Sequence, residues 1–192
     1  SWSGENTISL YIDKSRSGKT SDNRFVLSDI ALGAVIENIV IQAASMQFDC
    51  DIAYFPDSAN EYHVADIVFT LNTKAKDVRL ALVIESRCTD RRFPFSGEID
   101  PELQEKLNSA AQSRNASISW FLDKNAKKLV LPIIQQAESV RFKSEKLHQE
   151  LFSTVTFDNP DIDEGMHISV LAIEKPAQPI FKQLKKWSVM KW

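Results

Sequence analysis

The strongest structural signal in this chain is the segment Leu32-Gly33-Ala34-Val35-Ile36-Glu37-Asn38-Ile39-Val40-Ile41-Gln42-Ala43-Ala44. Around it, from Ile30 to Met46, apolar side chains occupy nearly every face of a helix with about 3.6 residues per turn. Ser28 or Asp29, just upstream, can cap the first turn. A helix that is apolar on all sides is normally surrounded by protein. The sequence therefore predicts a central helix that is buried on every face.

The same stretch is predicted to belong to a soluble domain. Glu37, Asn38 and Gln42 interrupt it, and its apolar run is shorter than the ~20 residues that a membrane span requires. No basic segment followed by an apolar one opens the chain, as a secretory signal peptide would. We therefore expect a cytoplasmic protein with no membrane partner.

On both sides of the helix, the apolar pattern changes to the period of two that is typical of β-strands. Thr7 to Ile12, Cys50 to Phe55 and Tyr62 to Leu71 all alternate in this way. The last two segments can pair as a hairpin across the turn at Asp57 to Glu61. The sequence thus predicts one strand before the central helix and two after it along the chain.

The second half of the chain is predicted to be mostly helical. The dipeptide Asp100-Pro101 marks the start of one helix, because aspartate caps and proline fits the first helical position. A longer helical pattern runs from Lys124 to about Phe152, with an interruption predicted near Pro132. Between the two helices, Ser117 to Leu122 has the pattern of a short strand. This order of elements favours an α+β domain.

Composition excludes several classes of protein. The 192 residues include 43% hydrophobic and 26% charged side chains, which excludes a disordered, collagenous or disulfide-scaffold protein. Length predicts one domain over residues 1–192. A net charge of -3 without a dense basic stripe predicts no nucleic-acid partner. Cys50 and Cys88 lack the spacing of a zinc or redox motif, which fits a reducing compartment.

The densest candidate for chemistry is the segment Arg87-Cys88-Thr89-Asp90-Arg91-Arg92. A guanidinium group is a rigid fork of donors that matches phosphate or carboxylate oxygens, and a hydroxyl adds one more donor. The spacing Arg-x-Thr-x-Arg therefore suits an anion. The alternative is a solvated basic turn that is held by surface ion pairs with Asp90 and Glu85.

The sequence gives less support to metal, phosphate-loop or calcium sites. His63, His148 and His167 are isolated from each other and from the cysteines, so we expect no metal site, and His148 is predicted to be a surface or capping residue. Ser17-Gly18-Lys19-Thr20 imitates the end of a P-loop without its earlier glycine. The acidic segment from Asp158 to Glu164 lacks calcium-loop spacing and is predicted to be a solvated loop. No general acid, base or nucleophile is assigned.

The order of these segments resembles the nitroreductase-like, FMN-dependent flavoproteins, and especially their tandem branch, the Acg family. In that branch a Gly-Ala-x-x-Glu-Asn helix, here Gly33 to Asn38, precedes a strand that ends in Pro-Asp, here Pro56-Asp57. An Arg-x-Thr-x-Arg segment and a Leu-rich helix follow, here Arg87 to Arg91 and Glu102 to Ala111. A long helix with a His-x-Glu-Leu-Phe stretch comes last, here His148 to Phe152. The resemblance covers nearly the whole chain.

The resemblance implies a nitroreductase-like α+β fold, in which helices pack on an antiparallel-dominated sheet and FMN binds where two like halves meet. In nitroreductases the Arg-x-Ser/Thr-x-Arg segment holds the FMN phosphate, which implies this role for Arg87, Thr89 and Arg91. A second family segment carries polar side chains that meet the flavin ring. Its first copy is not in this chain, and its second copy, at residues 111–121, has lost the glycine and the proline, with Asn115 as the remaining candidate contact.

The implied function is an oxidoreductase that transfers hydride from NAD(P)H, the co-substrate, through FMN to a small oxidised acceptor. The implied partner is a second nitroreductase-like half or a second copy in a homodimer. In the tandem alternative, residues 1–75 would end one half and residues 76–192 would begin the next. The degenerate ring-contact segment favours a second hypothesis, a catalytically inactive, flavin-sequestering or flavin-free interaction or regulatory domain of a larger protein. A third is a domain fused to an adenylating or peptide-modifying enzyme, where nitroreductase relatives oxidise azoline rings.

Overall fold

The protein is mixed α+β, as the order of elements predicted, and its backbone divides into two compact units, Ser1–Thr89 and Asp90–Trp192. The structure, a computed structural model, describes residues 2–74, 78–89, 91, 98–158 and 165–190. The predicted organisation, one domain over 1–192 or two halves that meet near residue 75, stays a prediction.

The first unit is built on a four-stranded antiparallel sheet. Its strands are β1 (Trp2–Gly4), β2 (Thr7–Tyr11), β3 (Phe48–Tyr54) and β4 (His63–Leu71), and their order in the sheet is β1-β2-β4-β3. All neighbours are antiparallel. The predicted hairpin is confirmed, because β3 and β4 pair with Ile52 opposite Ile67. The strand predicted from residue 7 is confirmed as β2.

One face of the helix α1 (Val26–Ser45) packs on this sheet. Ile36 of the helix and Ala65 and Ile67 of β4 form a buried cluster at the centre of the contact. Partly buried apolar side chains surround it: Leu10, Ile39, Val40, Cys50, Ile52 and Phe69. The alternating pattern of β4 therefore directs every second side chain toward the helix.

The prediction that α1 is buried on every face is wrong. Within the helix only Ile36 and Ala43 are buried, whereas Ile30 and Met46 are 66% and 60% exposed. The sheet and the short 3-10 turn Ala81–Val83 contact only part of the helix surface. An all-round apolar sequence indicates that a helix can be covered on every side, but it does not supply the covering layer.

The segment from Asn23 to Ser45 is also long enough and apolar enough to cross a membrane, because an 18-residue window within it has a mean hydropathy of 1.6. This corrects the expectation that the stretch is too short. A core helix of a soluble protein and a signal sequence have the same length and composition. Length and hydropathy alone therefore do not distinguish a membrane-spanning helix from a core helix or a signal sequence.

Helix α1 begins at Val26 with Phe25 as its N-cap residue, so the caps predicted at Ser28 or Asp29 are wrong, and the Asp22 side chain satisfies a first-turn N–H from outside the helix. Its Oδ1 accepts a hydrogen bond from the backbone N–H of Leu27 at 2.8 Å, and its Oδ2 accepts one from the Ser28 hydroxyl. These bonds hold the pKa of the Asp22 carboxyl below its usual value, with the Ser28 hydroxyl as the largest cause. Asp29 has an Oδ1 that is buried without a hydrogen-bond partner among the described residues, and burial raises the pKa of this carboxyl.

We expect Asp22→Asn to lower the midpoint of thermal unfolding at about pH 7, and to lower it much less at about pH 3. A carboxyl whose pKa is depressed in the folded state stabilises the fold above its unfolded pKa, near 3.8, and loses that contribution as the pH falls. Circular dichroism of both proteins at the two pH values measures the difference. The exposed Asp51→Asn variant is the control. An equal deficit at both pH values would contradict the prediction.

The second unit is mainly helical. Its helices are α2 (Pro101–Gln112), α3 (Lys124–Lys143), α4 (Glu145–Ser153), α5 (Gln178–Leu184) and α6 (Trp187–Met190), and a short parallel pair joins β5 (Val155–Thr156) to β6 (Met166–His167). The predicted start of α2 is confirmed, because the Asp100 side chain accepts a hydrogen bond from the backbone N–H of Glu102 at 2.9 Å.

Two predictions for this unit are wrong. Ser117 to Leu122 forms no strand, since no described strand pairs with it, and the Trp120 indole N–H instead donates to the Asn108 side chain at 3.0 Å. The long helical pattern breaks at Ser144, while α3 continues through Pro132. Pro132 is exposed, so water can solvate the carbonyl that it leaves without a donor. Ser144 has extended backbone angles and its hydroxyl accepts from the Leu147 N–H, which starts α4 anew.

Candidate functional site

Arg87 and Thr89 lie together at the end of the first unit. The backbone N–H of Arg87 donates to the carbonyl of Val83, four residues earlier, at 3.0 Å, just after the 3-10 turn Ala81–Val83. From there the Arg87 Nη1 donates to the Thr89 Oγ1 at 3.3 Å. Both side chains are exposed, and Arg87 makes no ion pair with a described carboxylate. The guanidinium group and the hydroxyl therefore form a donor pair that is open to solvent.

Arg91 belongs to the second unit, since the boundary falls after Thr89. Its Nη1 donates to the carbonyl of Val170 at 3.4 Å, and its Nη2 lies 3.9 Å from the sulfur of Met166. Its side chain is exposed. Within its own unit, Arg91 is therefore anchored to the segment around β6. Asp90 and Arg92, which the sequence placed in the same motif, lie outside the described residues.

Asn115 ends the turn that follows α2. Its φ of 55° is left-handed, a conformation that asparagine adopts more readily than most residues. Its backbone N–H donates to the carbonyl of Gln112 at 3.0 Å, and its side chain is exposed. The structure thus gives this residue a local role at a helix end, and its predicted contact with a flavin ring stays a prediction.

His148 is buried, so the prediction that it is a surface or capping residue is wrong. Its side chain is fully buried, and its Nε2 donates to the carbonyl of Leu184 at 2.8 Å. The ring lies between Phe152 and Trp187, with centroid distances of 4.7 and 5.2 Å. Its Nδ1 is buried without a hydrogen-bond partner among the described residues. The contacts with Leu184 and Trp187 come from α5 and α6, and the sequence of α4 alone does not reveal them.

A polar cluster on the sheet of the first unit escaped the sequence reasoning. His63 Nε2 lies 2.7 Å from Asp66 Oδ1, and the hydroxyl of the buried Ser9 donates to the same oxygen. The ring of Tyr11 stacks on His63 at 4.3 Å. These bonds hold the pKa of Asp66 below its usual value, first through Ser9 and then through His63. The cluster depends on the register that places Ser9 opposite Asp66.

This cluster has the residue types of a hydrolase triad but not the arrangement. A serine nucleophile needs a base that accepts its proton, with the carboxylate on the far side of that base. Here the hydroxyl and the imidazole both bond to the carboxylate, so the Ser9 proton is directed at Asp66. The arrangement ties β2 to β4 and offers no nucleophile.

Metal binding has no support in the described part of the chain. No group of three or more His, Cys, Asp or Glu side chains there is arranged to hold an ion. Of the acidic segment, Asp158 forms an ion pair with Lys182 at 2.8 Å, and that lysine lowers the pKa of Asp158. Asp161, Asp163 and Glu164 lie outside the described residues.

Comparison with known proteins finds a distant similarity. The chain is 21% identical over 170 residues to the "Uncharacterized protein MT1398" of Mycobacterium tuberculosis. The alignment covers 88% of this chain and 24% of that protein, so the chain spans about a quarter of the relative's length. No family model matches the chain.

Proposed function

We propose that this chain is a nitroreductase-like, FMN-binding domain of an oxidoreductase that transfers hydride from NAD(P)H to a small oxidised acceptor. The observation that carries the proposal is the exposed pair of Arg87 and Thr89, with 3.3 Å between the guanidinium nitrogen and the hydroxyl oxygen. The proposal also draws on the order of motifs along the chain and on a fold in which a long helix packs on an antiparallel sheet.

The donor set fits the phosphate end of FMN. Arg87 keeps further guanidinium N–H groups beyond the one that it gives to Thr89, and the Thr89 hydroxyl, which accepts that bond, keeps its own proton to donate. Both can therefore bond phosphate oxygens, and Arg91 is the third proposed donor. When bound, the flavin supplies the hydride chemistry, and the protein supplies anchoring, orientation and exclusion of water. Asn115 is the proposed polar contact to the ring.

The same resemblance leads to a proposed partner, compartment and acceptor. The partner that completes the flavin site is a second nitroreductase-like half or a second copy of the chain, and the compartment is the cytoplasm. The similarity to a much longer relative supports a domain of a larger protein, because the chain aligns with a quarter of it. The acceptor is a small molecule.

The test is FMN binding by purified protein, followed through the visible absorption of protein-bound flavin after removal of free flavin. We expect Arg87→Ala to weaken FMN binding about tenfold to a hundredfold, since a hydrogen bond to a charged group contributes about 1.5–3 kcal/mol. Thr89→Val, which removes only the hydroxyl, should weaken it less. Arg141→Ala, which loses only a surface ion pair with Glu138, is the matched control. Wild-type protein that binds no FMN, or Arg87→Ala protein that binds it equally well, would refute the proposal.

A second candidate function is supported by the exposed apolar face of α1. This face fits an interaction or regulatory domain that retains the fold without turnover. NAD(P)H oxidation in the presence of an electron acceptor separates the two functions. Turnover supports the enzyme, while tightly bound FMN without turnover supports the flavin-sequestering domain.

A further inference from the structure

His148 is the most deeply buried titratable side chain in the described part of the chain, with no exposed surface. Its ring lies on α4 and contacts two later helices. The Nε2 donates to the carbonyl of Leu184 in α5, and the ring centroid lies 5.2 Å from that of Trp187 in α6. Phe152 of α4 and Phe181 of α5 extend the aromatic contact. The imidazole therefore lies where α4 packs against the C-terminal helices α5 and α6.

The hydrogen bonding of this ring fits the neutral imidazole. A carbonyl can only accept, so the neutral ring carries its proton on Nε2, and Nδ1 keeps a lone pair. That Nδ1 is buried and has no hydrogen-bond partner among the described residues. A proton added there creates a second N–H and a positive charge with neither an acceptor nor water, and an unpaired charge is costly to bury. The docked helices therefore favour the neutral ring.

The surrounding elements supply no counter-charge in direct contact with the ring. None of the ion pairs that the structure describes includes His148. Two elements that pack against α4, β5 and α6, have no charged residue. The other neighbouring segments carry Glu145, Lys146 and Glu150 on α4, Arg141 and Lys143 at the end of α3, and Lys182, Lys185 and Lys186 in and after α5. Cations predominate in this set, and a further positive charge is disfavoured near them.

We propose that His148 is an acid-sensitive latch, in which protonation of the imidazole releases α5 and α6 from α4. An exposed imidazole takes up a proton near pH 6.5. Because the released ring can be protonated and the docked ring stays neutral, the ratio of released to docked helices rises by up to about tenfold for each pH unit below that value. Release carries Phe181 and Trp187 away from α4 and uncovers the apolar surface between them. The latch lies within the second unit, and it does not depend on the proposed flavin site.

Two other titratable groups of this unit can be separated from His148. Asp158 pairs with Lys182 of α5 at 2.8 Å, and that lysine lowers the pKa of Asp158 below its ordinary 3.8. This ion pair therefore persists between about pH 7 and pH 5. His167 caps the 3-10 turn Ile168–Leu171, where its Nδ1 accepts from the backbone N–H of Ser169 at 3.3 Å. It serves as the control histidine.

The experiment is amide hydrogen exchange of the full chain at about pH 7 and pH 5.5, read by mass spectrometry and corrected for the intrinsic exchange rate at each pH. Helices as short as α5 and α6 do not persist once released, so their amides exchange. We expect exchange over residues 178–190 to rise about tenfold at the lower pH. Helix α2 is the internal reference. No rise over 178–190, or an equal rise in α2, which indicates unfolding of the whole unit, would overturn the proposal.

Two variants assign the response to one ring. His148→Phe keeps an aromatic ring without a proton site and should remove the rise, whereas His167→Gln should keep it. The opposite pattern, or the same rise in both variants, contradicts the latch.

Nitrogen-15 NMR of histidine-labelled wild-type protein tests the same point if His148→Phe does not fold. We expect the docked His148 ring to be neutral at about pH 5.5, with its proton on Nε2. A protonated His148 ring in protein whose residues 178–190 stay protected from exchange would show that protonation does not release the helices.

Discussion

Replacement of Ile67 by alanine is expected to destabilise the first unit by about 3 kcal/mol, enough to remove a large share of the stability of a small domain. Ile67 is fully buried at the centre of the sheet, opposite Ile8 of β2 and Ile52 of β3. Truncation removes apolar burial and also leaves a cavity that the sheet and α1 can close only partly. Urea unfolding followed by circular dichroism measures the change.

The matched control for Ile67 is its neighbour on the same strand. Val68 is 36% exposed, and alternation along β4 directs it to the other face of the sheet. Val68→Ala should therefore cost under about 1 kcal/mol, mostly in strand propensity and partial burial. If both variants lose the same stability, then the packing of α1 on the sheet does not hold this unit together as described.

Replacement of His148 by alanine is expected to cost the second unit about 3 kcal/mol, through a new cavity and a lost hydrogen bond. The imidazole fills the space between Phe152 and Trp187, and its Nε2 bonds the carbonyl of Leu184. The loss should also loosen the contact of α4 with α5 and α6. The near-ultraviolet circular dichroism of Trp187, 5.2 Å from the ring, should weaken together with the unfolding midpoint.

A second substitution separates packing from hydrogen bonding at this position. His148→Phe keeps an aromatic ring, loses the bond to Leu184 and removes the buried, unpartnered Nδ1, so we expect a cost of only about 1 kcal/mol. Gln149→Ala, at an exposed position of α4, should stay within about 0.5 kcal/mol of wild type. A stable His148→Ala protein would show that the ring is not essential to this packing.

The elements that the sequence predicted correctly depend on short-range chemistry. Alternation identified β2, β3 and β4, and the turn between the last two gave their pairing. The Asp100-Pro101 dipeptide identified the start of α2, because a cap and a first-turn proline act within three residues. The same reasoning missed the Asp22 side chain as the acceptor for the first turn of α1, because Asp22 lies before a 3-10 turn in which Arg24 and Phe25 have left-handed backbone angles.

The candidate site was predictable only in part. The sequence identified Arg87 and Thr89 as neighbours, and the structure places their side chains in contact because only Cys88 separates them. The structure describes Arg91 with the other unit, bonded to the carbonyl of Val170, which is 79 residues away. The FMN site as a whole stays a proposal, which the binding experiments described above test.

Local signals were enough to establish a mixed α+β chain with a long apolar helix, an antiparallel hairpin and a mostly helical second half. They are enough because capping, periodicity and turn chemistry act within a few residues. Only the folded chain revealed which side chains become buried: His148 through Leu184, 36 residues away, and Ser9 through Asp66, 57 residues away. It also left one face of α1 exposed, because burial depends on what packs against a surface and not on the surface alone.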